Sequence, residues 1–469
     1  MTYFELVRSM DVLEKITLPG KPKYLKLAED FDFYELFKKI ENQFSTCFIF
    51  ESLGEEDYLS RHHIIGFDPE KIFYSTTVNE LCVKDCNTNT ILKYPCDHAY
   101  YKLREIIPQN IISKHYSGGL VGFIGYDAVN YFEPTLDVKS NKDFETFKFG
   151  LYLDGLVYDK LTGEIFYFYY KESRFDEILN ILNNNVSYNS SIQVKYLGNS
   201  VDKEEYENSV YKVKEYIKSG LIFQCEVGFK TDYIITGNHL EIYSKLREVN
   251  PSPHMYFMKF DDQKIIGASP ELLFRLHNKE METFPLAGTA KRGKDEIEDR
   301  KYARKLLNDP KEIAEHNMLV DLHRNDIGRV AQFGTVKVRK LMDIKRFSHV
   351  QHISSEIVGI IKEDEDMFSA LASNFPAGTL SGAPKIEAIK IIDEIESSGR
   401  GVYGGAIGEF CFNGDCTFAI PIRSIFIKAD RAYIQTCGGN VFDSNPEDEY
   451  IEIERKLAAM KTVLKNFEV

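Results

Sequence analysis

An α+β fold is predicted for this chain, and three observations carry the prediction. Short β-type runs and amphipathic helical stripes occur throughout but do not alternate regularly, which disfavours a doubly wound parallel sheet. Capping signals announce the helices: Asp202 with Glu205, Asp309 with Glu312, and Asn445-Pro446 each precede an apolar stripe of helical period. A glycine-dense apolar run, Gly118–Asp127, reads as a strand lying against another layer, because glycine inside a strand often marks close backbone approach.

In chain order, Phe33–Gln43 has a helical pattern, and Thr46–Phe50 and Lys71–Thr77 read as strands. Lys148–Tyr158 and Glu164–Tyr170 read as a hairpin around Lys160-Leu161-Thr162-Gly163. The polar stretch Asn183–Asn199, rich in Asn and Ser, is the expected boundary between an amino-terminal region, residues 1–190, and an intertwined carboxy-terminal region, residues 200–469. Beyond it, Tyr206, Val210, Val213 and Ile217 stripe the helix opened by Asp202, which ends at Gly220. A strand is expected at Leu221–Tyr233 and a helix from Asp309 to about Asp326. The runs Cys416–Ile427 and Ala432–Cys437, joined at Ala429-Asp430-Arg431, read as strands. In the last helix Ile453, Leu457, Met460 and Leu464 lie at i, i+4, i+7 and i+11.

Composition bounds the function. A chain of 469 residues with 43% apolar content can build a large core. No apolar run approaches the roughly 20 residues that span a bilayer, and Asp11 and Glu14 interrupt the start, so neither a membrane span nor a signal peptide is expected. Eight scattered cysteines without an export signal point to reduced thiols in a cytoplasm, and Cys82, Cys86, Cys96 and His98 match no common zinc spacing. A net charge of −14 argues against nucleic acid and anionic membranes as partners. An anionic substrate would therefore need local cations. Trp is absent beside 28 Tyr and 33 Phe.

Several stretches are candidates for chemistry. Phe375–Lys385 packs small residues and hydroxyls against a helix start, with Pro384 expected at the first helical position and Ala388, Ile391, Ile392 and Ile395 forming the stripe that follows. It is either an anion loop, with Thr379 and Ser381 as donors, or a tight loop needing glycine for positive φ. Glu315 shares a face with Leu319 and Leu322, so it points inward and needs a metal or cation opposite it. Glu312 sits at the capping-box position. Glu449 is in register with Ile453, while Glu452 and Lys456 are spaced for an ion pair. Carboxylates on both helices would suit Mg²⁺. Arg423, in an expected strand beside Ala419, either clamps a carboxylate or faces water. His349 and His352 read on spacing alone as satisfied polar residues. Neither a nucleophile elbow nor a nucleotide-binding glycine motif occurs.

Motifs occurring in order carry a resemblance: Pro285-Leu286-Ala287-Gly288-Thr289, Ala314–Leu322 with Arg324-Asn325-Asp326, Phe347–His352, Phe375–Lys385, Tyr403-Gly404-Gly405-Ala406 and Asp443–Glu447. Together they resemble the chorismate-utilising enzymes, most closely component I of the anthranilate synthases. Glu51-Ser52 and Gly118–Asp127 resemble that family's amino-terminal half.

The resemblance implies an orthogonal antiparallel β-sandwich with peripheral helices. It implies a lyase reaction of tryptophan biosynthesis, in which ammonia adds at C2 of chorismate with loss of the 4-hydroxyl and pyruvate is then eliminated to leave anthranilate. It places Mg²⁺ on Glu315 and Glu452, with Glu312 and Glu449 close by. Arg423 and Tyr403 would hold the enolpyruvyl carboxylate. Thr379, Gly438, Gly439, Lys456 and Ala287-Gly288-Thr289 would surround the substrate, with His352 beside the ring and Glu271 as the acid for the departing hydroxyl.

Inhibition by L-tryptophan would use Glu51-Ser52 and Asn250-Pro251-Ser252-Pro253-His254-Met255, where His254 departs from the family's Tyr. No cysteine sits in a Gly-x-Cys-x-Gly setting, so ammonia would come from solution or from a separate glutamine amidotransferase, component II, in a heterotetramer. Aminodeoxychorismate synthases carry Lys in place of Ala287 and isochorismate synthases Lys in place of Gln224, which favours the anthranilate reading. A non-catalytic tryptophan-binding homologue is the rival from another class. The chain departs from the family in Cys225–Lys230, usually an apolar run ending in Ser-Arg, in Cys437, usually glycine, and in Ala290-Lys291, usually Arg-Pro.

Overall fold

The computed structural model describes residues 8–9, 13–27, 31–53, 61–113, 115–184, 190–346 and 350–468. Asp11 and the segment Phe347-Ser348-His349 lie outside them.

Strand Thr46–Glu51 shows how the layers arise. Phe48 faces a core shared with Leu120, Phe123 and Phe149, while its neighbours Cys47 and Ile49 face a second core shared with Phe37 and Ile40 of helix Phe33–Gln43. Successive strand residues point to opposite faces, so a strand that is apolar throughout serves two cores at once. His254–Phe260 repeats the pattern, with Tyr256 and Met258 in the first core and Met255 and Phe257 in the second. Phe257 is fully buried with Phe37 and Tyr243 at ring-centroid distances of 5.6 and 5.9 Å. Its truncation to Ala would cost about 3–5 kcal/mol.

The layers are two large sheets, antiparallel except for the pair Arg8–Ser9 and Thr90–Pro95, with helices packed against both of them. The first, 13-stranded sheet places Gly119–Ile124 beside Ala406–Cys411 and continues through Cys416–Ala419, Leu272–His277 and Glu280–Thr283 to Val350–Ile360 and Leu286–Lys291. The second, 12-stranded sheet places Thr46–Glu51 beside His254–Phe260, then Gln263–Ser269, Ser424–Lys428, Arg431–Asn440 and Gln224–Gly237. Both sheets therefore mix strands from before and after the polar stretch near residue 190. Helices Lys203–Lys218, Leu240–Val249, Lys385–Ile395 and Pro446–Lys465 close the second core with residues such as Val210, Leu246, Ile391, Ile453 and Leu457. Among the described residues, no helix is long and apolar enough to cross a membrane.

Several expected elements are corrected. Lys148–Tyr158 is two strands: Phe147–Tyr152 belongs to the first sheet, Asp154–Asp159 to the second, and the chain changes sheet at Leu153. Cys416–Ile427 breaks in the same way into Cys416–Ala419 and Ser424–Lys428, so Arg423 lies in a crossover rather than a strand. The second half of Asn183–Asn199 is the strand Ile192–Asn199, paired on one side with Thr231–Gly237. It reads as a linker because, at the end of its sheet, only Val194 is buried. The expected strand Leu221–Tyr233 begins at Gln224 and extends to Gly237. Pro384 is the residue before helix Lys385–Ile395, not its first turn.

Candidate active site

The loop from Phe375 is held from several sides. Gly382-Ala383 pairs with Gln224 and Cys225, and a Cβ on Gly382 would lie 2.2 Å from the Gln224 carbonyl oxygen. A Cβ on Gly378 would strike Leu322 of the helix Pro310–Val330. Lys385 Nζ reaches Asp326 Oδ2 of that helix at 2.7 Å in a nearly buried pair. Thr379 is thereby set against Glu271, and its hydroxyl donates to Oε1 at 2.9 Å. Ser381, the other candidate donor, instead turns inward to the Ala377 carbonyl at 2.9 Å and is fully buried.

Glu271 is buried, and burial pushes its carboxyl up to about 7, against the opposing pull of the Thr379 hydroxyl and with the nearby Glu226 charge raising it further. Arg423 and Lys456 are the cations that face it. Arg423 has φ +51, a conformation with a steric cost for any side chain but glycine. Burial lowers its pKa, with Glu271 as the compensating charge, and its guanidinium makes no ion pair among the described residues. A half-buried arginine without an ion pair is ready for an anionic ligand.

Linked to Glu271 through the field of Glu226 are the glutamates of two helices. Glu315 is half-buried, and burial raises it while Lys311, the Gln224 amide and Lys456 pull the other way. Glu449 is buried, raised by that burial, and bonded by the Ser444 hydroxyl at 2.6 Å. Glu312 does not close a capping box. Asp309 accepts from the Lys311 amide, while Glu312 leans on Gly288, where a Cβ would come within 2.7 Å of its Oε2. For Glu452 burial is the largest influence and acts upward, but Lys456 and Lys311 prevail and lower it. The expected Glu452–Lys456 pair forms at 2.9 Å, and Lys456 Nζ also donates to the Cys437 carbonyl at 3.1 Å.

Among the described residues, no three His, Cys, Asp or Glu side chains converge tightly enough to hold a metal by themselves. Mg²⁺ binds through one or two carboxylates and fills its other positions with water and substrate oxygens. The donors are all hard oxygens, and the raised carboxyls of Glu312, Glu315 and Glu449 mark negative charge that a cation would relieve.

The remaining expected residues are placed as follows. His352 Nδ1 lies 2.8 Å from the Gly288 carbonyl, so Nδ1 carries the proton. Burial lowers the ring to about 4 and keeps it neutral. Thr289 Oγ1 is 3.2 Å from the same nitrogen, and the strand register slips between Ala287 and Thr289, where Gly288 has φ +66. Tyr403 is buried and its hydroxyl donates to Cys437 Sγ at 3.2 Å. A Cβ on Gly438 would crowd the Tyr206 hydroxyl, and one on Gly439 would fall 2.5 Å from both Gln224 Nε2 and Glu226 Oε1.

Glu226 is the residue that sequence reasoning missed. It is buried, and burial pushes it up to about 7 against the pull of Lys456 and the Cys437 thiol. The signal was available: Glu226 follows Gln224 by two, and strand alternation puts both on one face. Lys230 bends away to the Gly399 carbonyl and the Tyr433 ring.

A separate cavity of about 590 Å³ is lined by Glu51, Ser52, Pro253, His254 and Met255 together with Glu409. Pro251 and Ser252 do not line it. Ser252 is buried, its carbonyl accepting from the Leu53 amide at 3.0 Å. The Glu51 carboxylate is taken by Arg247 at 2.9 and 3.1 Å and by the Tyr243 hydroxyl at 2.8 Å.

Residues 45–462 match the family described as chorismate binding enzyme. The chain is 52% identical over 459 residues to anthranilate synthase component 1 of Leptospira biflexa, covering 96% of this chain and 98% of that one. It is 40% identical over 436 residues to the protein of that name from Methanothermobacter thermautotrophicus, with 93% and 92% covered. The crystal structure of anthranilate synthase component I from Streptococcus pneumoniae superposes with a TM-score of 0.76 at 31% identity, covering 86% of this chain and 93% of that one. The menaquinone-specific isochorismate synthase of Escherichia coli shares the fold, with a TM-score of 0.71 at 18% identity.

Proposed function

This chain belongs to the chorismate binding enzymes, and from that premise we propose that it is an anthranilate synthase component I, converting chorismate and ammonia to anthranilate and pyruvate. One observation carries the reading: the buried Glu271 carboxyl, held near 7 and bonded by Thr379, faces an arginine that makes no ion pair among the described residues. A carboxyl raised to about 7 keeps a protonated fraction at neutral pH that can donate to a departing hydroxyl. Arg423 is suited to the enolpyruvyl carboxylate, with Tyr403 as the second residue proposed for it. Ala287, where an aminodeoxychorismate synthase would carry Lys, supports the choice among chorismate chemistries.

Mg²⁺ held by Glu315 and Glu452, with Glu312 and Glu449 alongside, would supply positive charge to the ring carboxylate. Lys456, paired with Glu452, keeps that wall from being purely acidic before substrate arrives. His352, neutral and fixed by the Gly288 carbonyl, packs beside the ring without adding charge. L-tryptophan is the proposed occupant of the cavity beside Glu51, as a feedback inhibitor, and a component II amidotransferase the proposed source of ammonia from glutamine.

Incubating the purified chain with chorismate, Mg²⁺ and ammonium at alkaline pH should yield anthranilate and pyruvate. Accumulation of isochorismate or aminodeoxychorismate without anthranilate would overturn the reading. With glutamine as the only nitrogen source the isolated chain should be inactive, and glutamine-dependent product from it alone would refute the separate-subunit proposal.

A further inference from the structure

Two of the chain's departures from its family meet. Cys437 donates its thiol to Glu226 Oε2 at 3.3 Å, and the residues sit on paired strands, with Glu226 opposite Gly439 and Gly228 opposite Cys437. On its other side Glu226 Oε1 accepts from Gln224 Nε2 at 3.3 Å, and the same amide nitrogen lies 3.3 Å from Glu315 Oε1. At the far end the Tyr403 hydroxyl bonds Cys437 at 3.2 Å. A polar chain therefore runs Glu315, Gln224, Glu226, Cys437, Tyr403, with a carboxylate at its middle.

The ends of that chain are the anchors of the proposed substrate: Glu315 on the side of the ring carboxylate, Tyr403 on the side of the enolpyruvyl group. In chorismate these substituents sit on C1 and C3, and the ring atom between them is C2, where nitrogen enters. The midpoint of the chain is thus on the C2 side, while Glu271 and Thr379 serve the departing hydroxyl at C4. Glu226 is 7% exposed, and the absence of a side chain at Gly439 leaves its carboxylate room.

We propose that Glu226 is a further catalytic residue, the acceptor for the proton that ammonium must lose before it attacks C2. This rests on the aminating reaction proposed above. Ammonium, a small cation, is drawn to a carboxylate and gives one proton to a Glu226 oxygen. The lone pair freed on NH₃ forms the C2–N bond, the two ring double bonds each shift one place toward C4, and the C4–O bond breaks. The hydroxyl leaves as water with the proton of Glu271, so Glu226 ends protonated, Glu271 ionised and the new amine cationic. Lys456, Glu315, Glu452 and Glu271 are the charged groups whose fields act on Glu226 or are acted on by it.

The test is steady-state kinetics of Glu226→Gln with Mg²⁺, varying ammonium and chorismate separately across pH 6–9. Expected is a fall of about 10²-fold or more in kcat/KM for ammonium, with the chorismate KM and chorismate binding by calorimetry within about twofold of wild type. The limb of the pH profile that reports the base should disappear. Glu226→Asp keeps a carboxylate and should recover part of the loss. It also carries the test if the Gln variant does not fold, with a fall of about tenfold in kcat/KM for ammonium expected and wild-type kinetics overturning the proposal. A wild type that aminates chorismate while Glu226→Gln does so equally well, with the same pH profile, overturns the role of Glu226 alone. A wild type that turns chorismate over without incorporating nitrogen overturns the reaction reading, and this role with it.

Discussion

Glu51 and Glu271 are both buried glutamates raised by burial, at 4% and 6% exposure, and they are furnished in opposite ways. Glu51 is met by the fork of Arg247 and by the Tyr243 hydroxyl, beside a cavity whose other walls come from strands and from loop residues such as His115, Tyr116 and Asn413. Among the described residues the Glu271 carboxyl has the Thr379 hydroxyl as its hydrogen-bonding side chain, and the arginine that faces it makes no ion pair. A carboxylate whose lone pairs are filled by a fixed cation braces the structure and has little freedom to exchange a proton. One left with a neutral donor in a dry site stays protonated to higher pH, and a proton is then available for chemistry.

The comparison is most exposed at Glu271. Glu271→Gln should lower kcat for anthranilate formation by about 10²–10⁴-fold. Its urea midpoint should not fall, because the amide keeps the shape of a carboxyl that burial already disfavours in its ionised form and can still accept from Thr379. Retained turnover would erase the distinction between the two glutamates. Glu51→Gln should behave in reverse, losing about 1–3 kcal/mol of stability in urea unfolding because Arg247 is stranded. Its side chain is 25% exposed, so water offsets part of that cost. Turnover per folded molecule should be unchanged.

Glu315 extends the contrast to the metal side. Without metal, Glu315→Gln should leave stability the same or raise it by about 1 kcal/mol, since neighbouring carboxylates no longer repel. Mg²⁺ binding measured by calorimetry should be lost. A strongly destabilised variant that still binds Mg²⁺ would show that Glu315 is a brace like Glu51.

The smallest effect is one of pH. The Glu271 carboxyl titrates near 4.5 unfolded and near 7 folded. Below about 4.5 both states hold the proton, and between 4.5 and 7 only the native state does, so its contribution to stability falls as pH rises through that window and levels off above it. The stability of wild type relative to Glu271→Gln should follow that course. A difference that grows with pH would mean the native carboxyl is ionised.

Much of this was legible in the sequence. The capping residues Asp202, Asp309 and Asn445 open the helices they announce, and Ile453, Leu457, Met460 and Leu464 are all buried. The inward register of Glu315 and the Glu452–Lys456 pair are helix-local properties, and both are present. What periodicity could not show was which sheet a strand joins. The break at Leu153 follows residues of good β character, whereas the crossover that fixes Arg423 at positive φ did leave a local mark in Pro421, which cannot donate to a strand ladder and was passed over. Ser381 and Glu312 were misread because nearby partners, the Ala377 carbonyl and Gly288, compete for them. Glu226 stood out only as a departure from an apolar run, and its significance needed the opposing strand with Cys437.

The account stands most directly on the protonation of Glu271, which infrared difference spectroscopy of wild type against Glu271→Gln can read across pH 5–9. The account predicts a protonated-carboxyl stretch that is present in wild type, absent from the variant, and titrates with a midpoint near 7. A carboxylate already ionised at pH 5, with no such band to lose, would contradict it.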